Sequence, residues 1–290
     1  MEFVQSDKTI TVRQPSTANL MVDSADRSSA YLRCNDFLIS KKQSLMNGFF
    51  TRVGTTEIVF EWTTPNVDKF ENGSFIYTTI GTSSTDNIFA LDGFFNMEEA
   101  IDTIEESVNG FTSTTGLTWT FSPTQGGGVQ LQVTGGVDGD RFGLESPLLM
   151  QMFGTGSLTG LFPPSGVVTF DLSATPADLR PARYVDIVCT QLTNNQNVKD
   201  ASTAPIVRDV LCRWYFDYDA QTPTDAYGYP ILMGYAPFFL RRLYNPPKQI
   251  QWQTNVPIGQ LSFQLFNNNG SLQKVERNTN YLMTLQMSEN

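Results

Sequence analysis

The 290-residue chain contains no histidine. Histidine is the side chain whose ordinary pKa lies closest to neutral pH, and it is the commonest metal ligand in proteins. Its absence excludes a Ser-His-Asp or Cys-His nucleophile built from this chain. Histidine is a rare residue in any protein, so beyond excluding these chemistries its absence says little about the class of the protein.

Cysteine is scarce, and the three cysteines are Cys34, Cys189 and Cys212. No Cys-x-x-Cys pair occurs, which excludes a zinc ribbon or a thioredoxin-like redox motif. Two of the three lie in runs of alternating apolar residues, where a free cysteine usually serves as a small hydrophobic side chain. We therefore predict buried free thiols, which suit assembly in a reducing compartment.

The chain also lacks basic tails and long apolar runs. Its formal net charge is −10, and neither end carries an arginine-rich arm. A protein that packages nucleic acid through its own tails needs such positive charge, because contacts to phosphates dominate the affinity. No stretch approaches the ~18 apolar residues of a transmembrane helix, and the first residues do not resemble a signal peptide. We predict no direct nucleic-acid binding and no membrane-spanning segment.

Sequence motifs for catalysis or cofactor binding are missing as well. No P-loop, Gly-x-Ser-x-Gly, His-Glu-x-x-His or Gly-x-Gly-x-x-Gly motif occurs in a fitting context. The Asp138–Asp140 segment lacks the spacing of a calcium loop, and Asp217, Asp219 and Asp225 are typical of a solvated loop. A glycosidase with two catalytic carboxylates is formally open, but nothing places two acids in one cleft. We predict a protein that is not an enzyme, with no catalytic, cofactor-binding or metal site.

The residues that are present favour β-structure. Apolar residues make up 40% and aromatic residues 12% of the chain, enough for a sizeable core. In Glu57–Trp62, Ile58, Phe60 and Trp62 alternate with Glu57, Val59 and Glu61, the period of a half-buried strand. Similar runs cover Phe75–Ile80, Leu117–Phe121, Val129–Val133, Tyr184–Cys189, Val210–Phe216, Ile250–Gln253, Leu261–Leu265 and Tyr281–Met287. Many short strands with frequent turn residues predict a sandwich or a barrel.

One helix is indicated after Asn96. Asn96 and Glu99 have the spacing of a capping box, and apolar residues then recur at helical spacing until Asn109 and Gly110 end the pattern. The acidic residues of this helix are expected to form a solvated face. Residues 134–166 are rich in glycine and proline and are predicted to be loops. Residues 1–29 are polar and are predicted to be an N-terminal arm, either a loose end or a segment that orders on a neighbouring subunit.

The second half of the chain carries a recognisable order of segments. These are Tyr184–Ile187, Gln191–Asp200, Val210–Phe216, Arg241–Lys248 and Pro257–Leu265, and Leu91–Met97 before the helix adds a sixth. This pattern resembles the single jelly-roll penton or minor capsid proteins of virophages and polinton-like double-stranded DNA viruses.

The resemblance implies an all-β fold, a single jelly-roll sandwich of two antiparallel sheets over residues 30–290. A loop insertion with one helix and a β-hairpin is expected at 84–166. It further implies a penton subunit that forms homopentamers at the five-fold vertices of an icosahedral capsid and contacts major capsid proteins. Such a protein is made and assembled in the host cytoplasm or nucleus and resides in the virion.

Aromatic and basic residues near 227–244 are the candidate interface. They are Tyr227, Tyr229, Tyr235, Phe238, Phe239, Arg241, Arg242 and Tyr244. Exposed aromatic clusters often mark contact surfaces, but the aromatic residues are equally expected to cap one end of the sandwich. The two arginines either pair with acidic surface on a neighbour or serve solubility.

Two further functions remain open from the residues. One is another structural role in the capsid, as a cement or other minor protein. The other is a jelly-roll module that binds a host receptor or a glycan, for which exposed aromatic residues beside polar side chains would be needed.

Overall fold

The computed structural model describes residues 17–40, 45, 50–80, 84–125, 127–172, 177–193, 210–216, 223–251 and 258–289. Within these residues the chain is all-β, and the paired strands are antiparallel. The strands are β1 (Thr17–Asp23), β2 (Asp36–Ser40), β3 (Arg52–Trp62), β4 (Ser74–Ile80), β5 (Ser84–Ala90), β6 (Thr118–Pro123), β7 (Val129–Thr134), β8 (Arg141–Glu145), β9 (Ser157–Leu161), β10 (Val167–Asp171), β11 (Tyr184–Val188), β12 (Val210–Tyr215), β13 (Phe238–Leu243), β14 (Ile250–Gln251), β15 (Gln260–Asn267) and β16 (Tyr281–Ser288). The helices are α1 (Met97–Asn109), α2 (Thr112–Thr115), α3 (Pro147–Phe153) and α4 (Thr190–Thr193).

Eight of these strands follow the strand order of a jelly roll. The first sheet has the order β1-β16-β3-β13, with the short β14 also pairing with β3, and the second has the order β12-β11-β15-β2. If β1, β2, β3, β11, β12, β13, β15 and β16 are lettered B to I, the sheets are B-I-D-G and F-E-H-C. These are the two sheets of a jelly-roll sandwich. The predicted all-β jelly roll is confirmed.

Aromatic side chains fill the space between the two sheets. Phe60 and Trp62 on β3 face Trp214 on β12, with ring centroids 4.2 Å and 6.4 Å from the Trp214 ring. Phe37 on β2 stacks on Phe263 of β15 at 5.5 Å. All five side chains are almost completely buried. The alternation predicted for 57–62 therefore has its apolar side towards this core.

The N-terminal part of the described chain is a strand and not an arm. Strand β1 pairs with β16 over its whole length, and Val22 is buried in the core. Ala18 and Leu20 pack against the same core. The prediction of a polar arm is wrong for these residues, because the alternation of small and apolar residues was hidden by polar neighbours. Residues 1–16 of that predicted arm lie outside the described part of the chain.

Strands β4 to β10 lie between β3 and β11 and form two further sheets. We call residues 63–183 the inserted region; its sheets have the orders β5-β4-β8-β9 and β10-β7-β6. They enclose a second core around Trp119, whose indole N–H donates a 3.2 Å hydrogen bond to the Tyr77 hydroxyl. The predicted helix and hairpin are present as α1 and β6–β7. The division of the chain into domains, including the boundaries 84–166, stays a prediction, but strands outside the jelly roll extend from Ser74 to Asp171.

Part of the stretch predicted to be loops, 134–166, is regular. It contains β8, α3 and β9. The two strands carry Gly143 and Gly160, which obscure the strand pattern because glycine is usually unfavourable in strands. Gly160 is required by packing: a Cβ atom there would lie 2.5 Å from the Phe142 ring.

Helix α1 begins at the capping box predicted from the sequence. The Asn96 side chain accepts from the Glu99 N–H, and the Glu99 carboxylate accepts from the Asn96 N–H. Glu105, expected on a solvated face, instead accepts a 2.8 Å hydrogen bond from the Phe121 N–H on β6. Asn109 binds both the N–H and the C=O of Trp119. The helix therefore covers the edge of β6, which would otherwise be unpaired.

None of the helices in the described residues is both long and apolar enough to cross a membrane. All three cysteines are buried free thiols, as predicted. Burial raises the pKa of the Cys34, Cys189 and Cys212 thiols to about 12.

Replacing Gly160 by alanine is expected to destabilise the fold, whereas the same change at Gly143 is expected to be tolerated. At Gly143 the new Cβ atom would meet only the Thr159 methyl group at 3.4 Å. Overpacking of a core typically costs about 1–3 kcal/mol. Urea unfolding of Gly160→Ala and Gly143→Ala measures the difference, and equal stabilities would contradict the packing at Gly160.

The thiols are expected to be unreactive in the folded chain. At pH 8 a thiol with a pKa of about 12 is ionised to about one part in ten thousand, and the thiolate is the reactive form. Titration with Ellman's reagent should detect almost no thiol in native protein and all three in denaturant. Rapid native reaction of a cysteine would show that its part of the core opens readily.

Candidate assembly surface

The first jelly-roll sheet presents several large apolar side chains on the face that points away from the core. We call this the outer face; it consists of the outward side chains of β1, β16, β3 and β13. Its most exposed apolar residues are Met21, Phe239, Leu243 and Leu282, with 81%, 69%, 64% and 49% of their surface accessible. Apolar side chains on one sheet face cost free energy in water unless another surface covers them.

The pairing register shows how these side chains are arranged on the face. Leu282 on β16 lies opposite Val59 on β3, and Val59 lies opposite Arg241 on β13. Phe239 and Leu243 are two positions before and after Arg241, so they share its face. Arg241 therefore separates Phe239 from Leu243 along β13, and Thr284 and Glu57 lie between Met21 on β1 and Leu243 on β13.

Arg241 forms an ion pair within this face. Its guanidinium donates to the Glu57 carboxylate at 2.7 Å, and the Arg241 side chain remains largely exposed. An exposed pair of this kind adds little to folding stability. A second surface that covers this face would have to accommodate the charged pair between Phe239 and Leu243.

The two outer strands of this sheet are edges. Among the described strands, β13 pairs with β3 and β1 pairs with β16, and neither has a partner on its other side. Edge strands leave backbone N–H and C=O groups available to a second chain. The outer face and these edges therefore lie next to one another.

Three of the predicted interface residues belong to a core. Tyr227, Tyr229 and Tyr235 are buried against the inserted region, and the Tyr235 hydroxyl accepts a 3.1 Å hydrogen bond from the Leu179 N–H. Burial raises the pKa of Tyr227 and Tyr235 to about 12. Their role as contact residues stays a prediction, but in the described chain these buried side chains offer little surface to a second chain.

The tyrosine-bearing loop is ordered by Asp225. Its carboxylate accepts hydrogen bonds from the N–H groups of Tyr227 and Tyr229, at 3.0 and 2.9 Å. Asp217 and Asp219, noted with it in the sequence, lie outside the described residues. In the part of the chain that the structure describes, no three metal-ligating side chains come together.

The other five predicted residues lie on or beside β13. Phe239 and Arg241 point to the outer face, while Phe238, Arg242 and Tyr244 are half-buried. Phe238 stacks on Trp62, and the Tyr244 hydroxyl donates a 2.9 Å hydrogen bond to the Arg213 carbonyl. Arg241 and Arg242 are thus on opposite sides of the sheet.

Sequence reasoning missed Met21, Leu243 and Leu282. The alternation of β13 around the buried Leu240 would have placed Leu243 beside Phe239 on the outer side. Alternation around Tyr281 likewise places Leu282 on the outward side of β16, but only the pairing of β1 with β16 shows that Met21 shares this face.

Comparison with known proteins gives structural likeness but no match in sequence. No protein-family model matches the chain, and no curated protein matches it. Among solved structures, the chain is similar to the crystal structure of the mavirus penton protein. The sequences are 12% identical, the match covers 96% of this chain and 100% of that chain, and the TM-score is 0.45. The jelly-roll assignment rests on the strand order given above.

The division of the predicted residues into core and surface is testable with two substitutions. Tyr235→Phe leaves the buried Leu179 N–H without its acceptor, which should cost about 1–3 kcal/mol of folding free energy. Phe239→Ser changes an exposed side chain and should alter the stability of the isolated chain by less than about 0.5 kcal/mol. Thermal or urea unfolding of both variants measures these changes in stability. A larger loss of stability in Phe239→Ser than in Tyr235→Phe would contradict the assignment.

Proposed function

We propose that this chain is a structural capsid protein, and more narrowly a penton subunit that forms homopentamers at five-fold vertices and contacts major capsid proteins. The observation that carries the proposal is the outer face of the jelly-roll sheet. Large exposed apolar residues lie on β1, β13 and β16, whereas the outward side of β3 is mostly polar. The sequence resemblance to single jelly-roll capsid proteins supports the same role.

In the proposed function, the outer face is buried in contacts with neighbouring subunits. Large exposed apolar side chains that share one face of a sheet are candidates for contacts with another protein. A ring of identical subunits uses heterologous contacts, in which one patch meets a different patch on the next copy until the rotation closes. Lasting contacts of this type are large and more apolar than the average surface. Phe239 and Leu243 are the expected anchors, with the Arg241–Glu57 pair between them.

The proposal includes no catalysis. The sequence has no histidine, and the buried thiols of the jelly roll are held in their neutral form by desolvation. The acidic balance of the chain does not favour binding to nucleic acid. In this account the protein acts in the virion, through contacts with copies of itself and with other capsid proteins.

A double substitution on the outer face tests the proposal. Phe239→Ser with Leu243→Ser should leave the chain folded, because both side chains are exposed. Removing two anchors from an interface typically costs several kcal/mol, so the concentration needed for assembly should rise at least about tenfold. Light scattering coupled to size-exclusion chromatography over a concentration series measures this.

The matched control is Ile88→Ser with Leu161→Ser. These residues are similarly exposed but lie on the inserted region. The control should assemble like the unchanged chain. Unaltered assembly of the Phe239/Leu243 variant, or an equal loss in the control, would contradict the role of the outer face.

A further inference from the structure

The most exposed apolar residues of the outer face lie at its two margins. Met21 is on β1 at one edge of the sheet, and Phe239 and Leu243 are on β13 at the other edge. Between these edges lie the half-exposed Leu282 and the mostly polar outward side of β3. A neighbour that meets the sheet at its edges therefore covers the most exposed apolar residues and leaves the polar centre in water.

The two edge strands run in opposite directions. The sheet has the order β1-β16-β3-β13, and each neighbouring pair is antiparallel. If a second copy continues this sheet with the same side outward, its β1 is therefore antiparallel to β13 of the first copy. Edge strands offer backbone N–H and C=O groups to such a contact. The sheet can thus continue from one copy into the next with the same antiparallel pattern.

One register pairs the two strands over the whole length of β13. Strand β1 has seven residues and β13 has six. When Phe239 lies opposite Met21 of the second copy, residues 238–243 lie opposite residues 17–22. This register brings together the two most exposed apolar side chains of the face, which are 69% and 81% accessible. A thioether beside an aromatic ring is a favourable contact.

The same register joins apolar residues on the core side of the sheet. Leu240 lies opposite Leu20 of the second copy, and Phe238 lies opposite Val22 of that copy. Leu240 and Val22 are buried, and the other two are partly buried against the jelly-roll core. Apolar side chains therefore meet on both sides of the sheet, and cross-strand pairs of this kind stabilise strand pairing.

Other pairings of these edges fit less well. A shift of two residues, the smallest that keeps the outer faces on one side, places Phe239 opposite Asn19 or Asp23. Pairing of β13 with β13 about a two-fold axis can bring Phe239 opposite Leu243, but the two copies of Arg241 then lie opposite each other as well. Like charges in directly opposed positions destabilise a sheet.

We propose that β13 of one copy pairs with β1 of the next copy, antiparallel and with Phe239 opposite Met21. This inference rests on the proposed function and names the two surfaces of its heterologous contact. Each copy uses one edge on either side, so the contact repeats until the ring closes. A closed sheet has no edge left, which removes the open strands of the isolated chain.

Single cysteines on the two strands test the pairing. Asn19 and Arg241 lie opposite each other in this register and are both exposed, and replacing them leaves Met21, Phe239 and Leu243 in place. Chains with Asn19→Cys and chains with Arg241→Cys are mixed and oxidised with diamide at a concentration where the unchanged chain assembles. Non-reducing electrophoresis should show a cross-linked dimer in the mixture and none in either variant alone.

A disulfide within one chain is excluded by distance. Strands β1 and β13 are three strand spacings apart in their sheet, which is about 14 Å, whereas the two Cα atoms of a disulfide lie at most about 7 Å apart. The native cysteines are buried, so the unchanged chain should give no cross-link.

The matched control is Thr17→Cys mixed with Arg241→Cys. Thr17 is exposed on the same side of β1, two residues from Asn19. Diagonal neighbours in a sheet are about 7–8 Å apart, beyond the reach of a disulfide, so the cross-linked dimer should be lost or nearly lost in this control.

The outcomes separate the edge pairing from the capsid role. Cross-linking of either variant with itself, or equal cross-linking in the Thr17→Cys control, would overturn the proposed pairing. Absence of a cross-link in the mixture, when the unchanged chain assembles, would also overturn it and leave the capsid role standing. An unchanged chain that stays monomeric would contradict the proposed function itself.

A chain that carries both Asn19→Cys and Arg241→Cys extends the test. If each copy contacts the next through these two strands, oxidation should give a ladder of cross-linked species that ends at the closed ring. A ladder that stops at the dimer would contradict the head-to-tail contact.

Discussion

The structure depends on the aromatic layer between the two jelly-roll sheets. Phe37, Phe60, Trp214 and Tyr281 come from four strands that are distant in the sequence, and all are buried. Phe60 contacts Trp214 across the sheets and stacks on Tyr281 within its own sheet. A shift of one residue in the register of any of these strands would move its aromatic side chain from the core to the solvent-facing side of the sheet. The layer therefore fixes the register of both sheets.

The same register determines the outer face. Because side chains alternate along a strand, placing Leu240 and Tyr281 inside places Phe239 and Leu282 outside. The core therefore fixes which residues of these strands point outward, and these residues keep their positions as long as the core is intact.

Strands and helices whose sequence signal lies within a few residues were predictable. Strands that are explained only by contacts with distant parts of the chain were not. Alternation identified β3, β4 and most later strands, and the capping box at Asn96 identified α1, because these signals lie within a few residues. The strands β8 and β9 were missed because Gly143 and Gly160 interrupt the pattern, and Gly160 is explained only by the Phe142 ring against it. The strand β1 was missed because its apolar side is short and faces a partner at the other end of the chain.

The candidate site shows the same limit. The region 227–244 was identified from its aromatic residues, but Tyr227 and Phe239 have opposite environments. Composition could not separate them, because the tyrosines lie in an irregular loop, whereas Phe239 lies on a strand whose alternation can be followed.

Electron microscopy of the purified full chain tests the central claim most directly. If the chain is a penton subunit, class averages at assembling concentrations should show closed rings with five-fold symmetry. The outer face should be covered at the contacts between neighbouring subunits. A chain that stays monomeric at every concentration, or that closes into rings of another symmetry, would contradict the account.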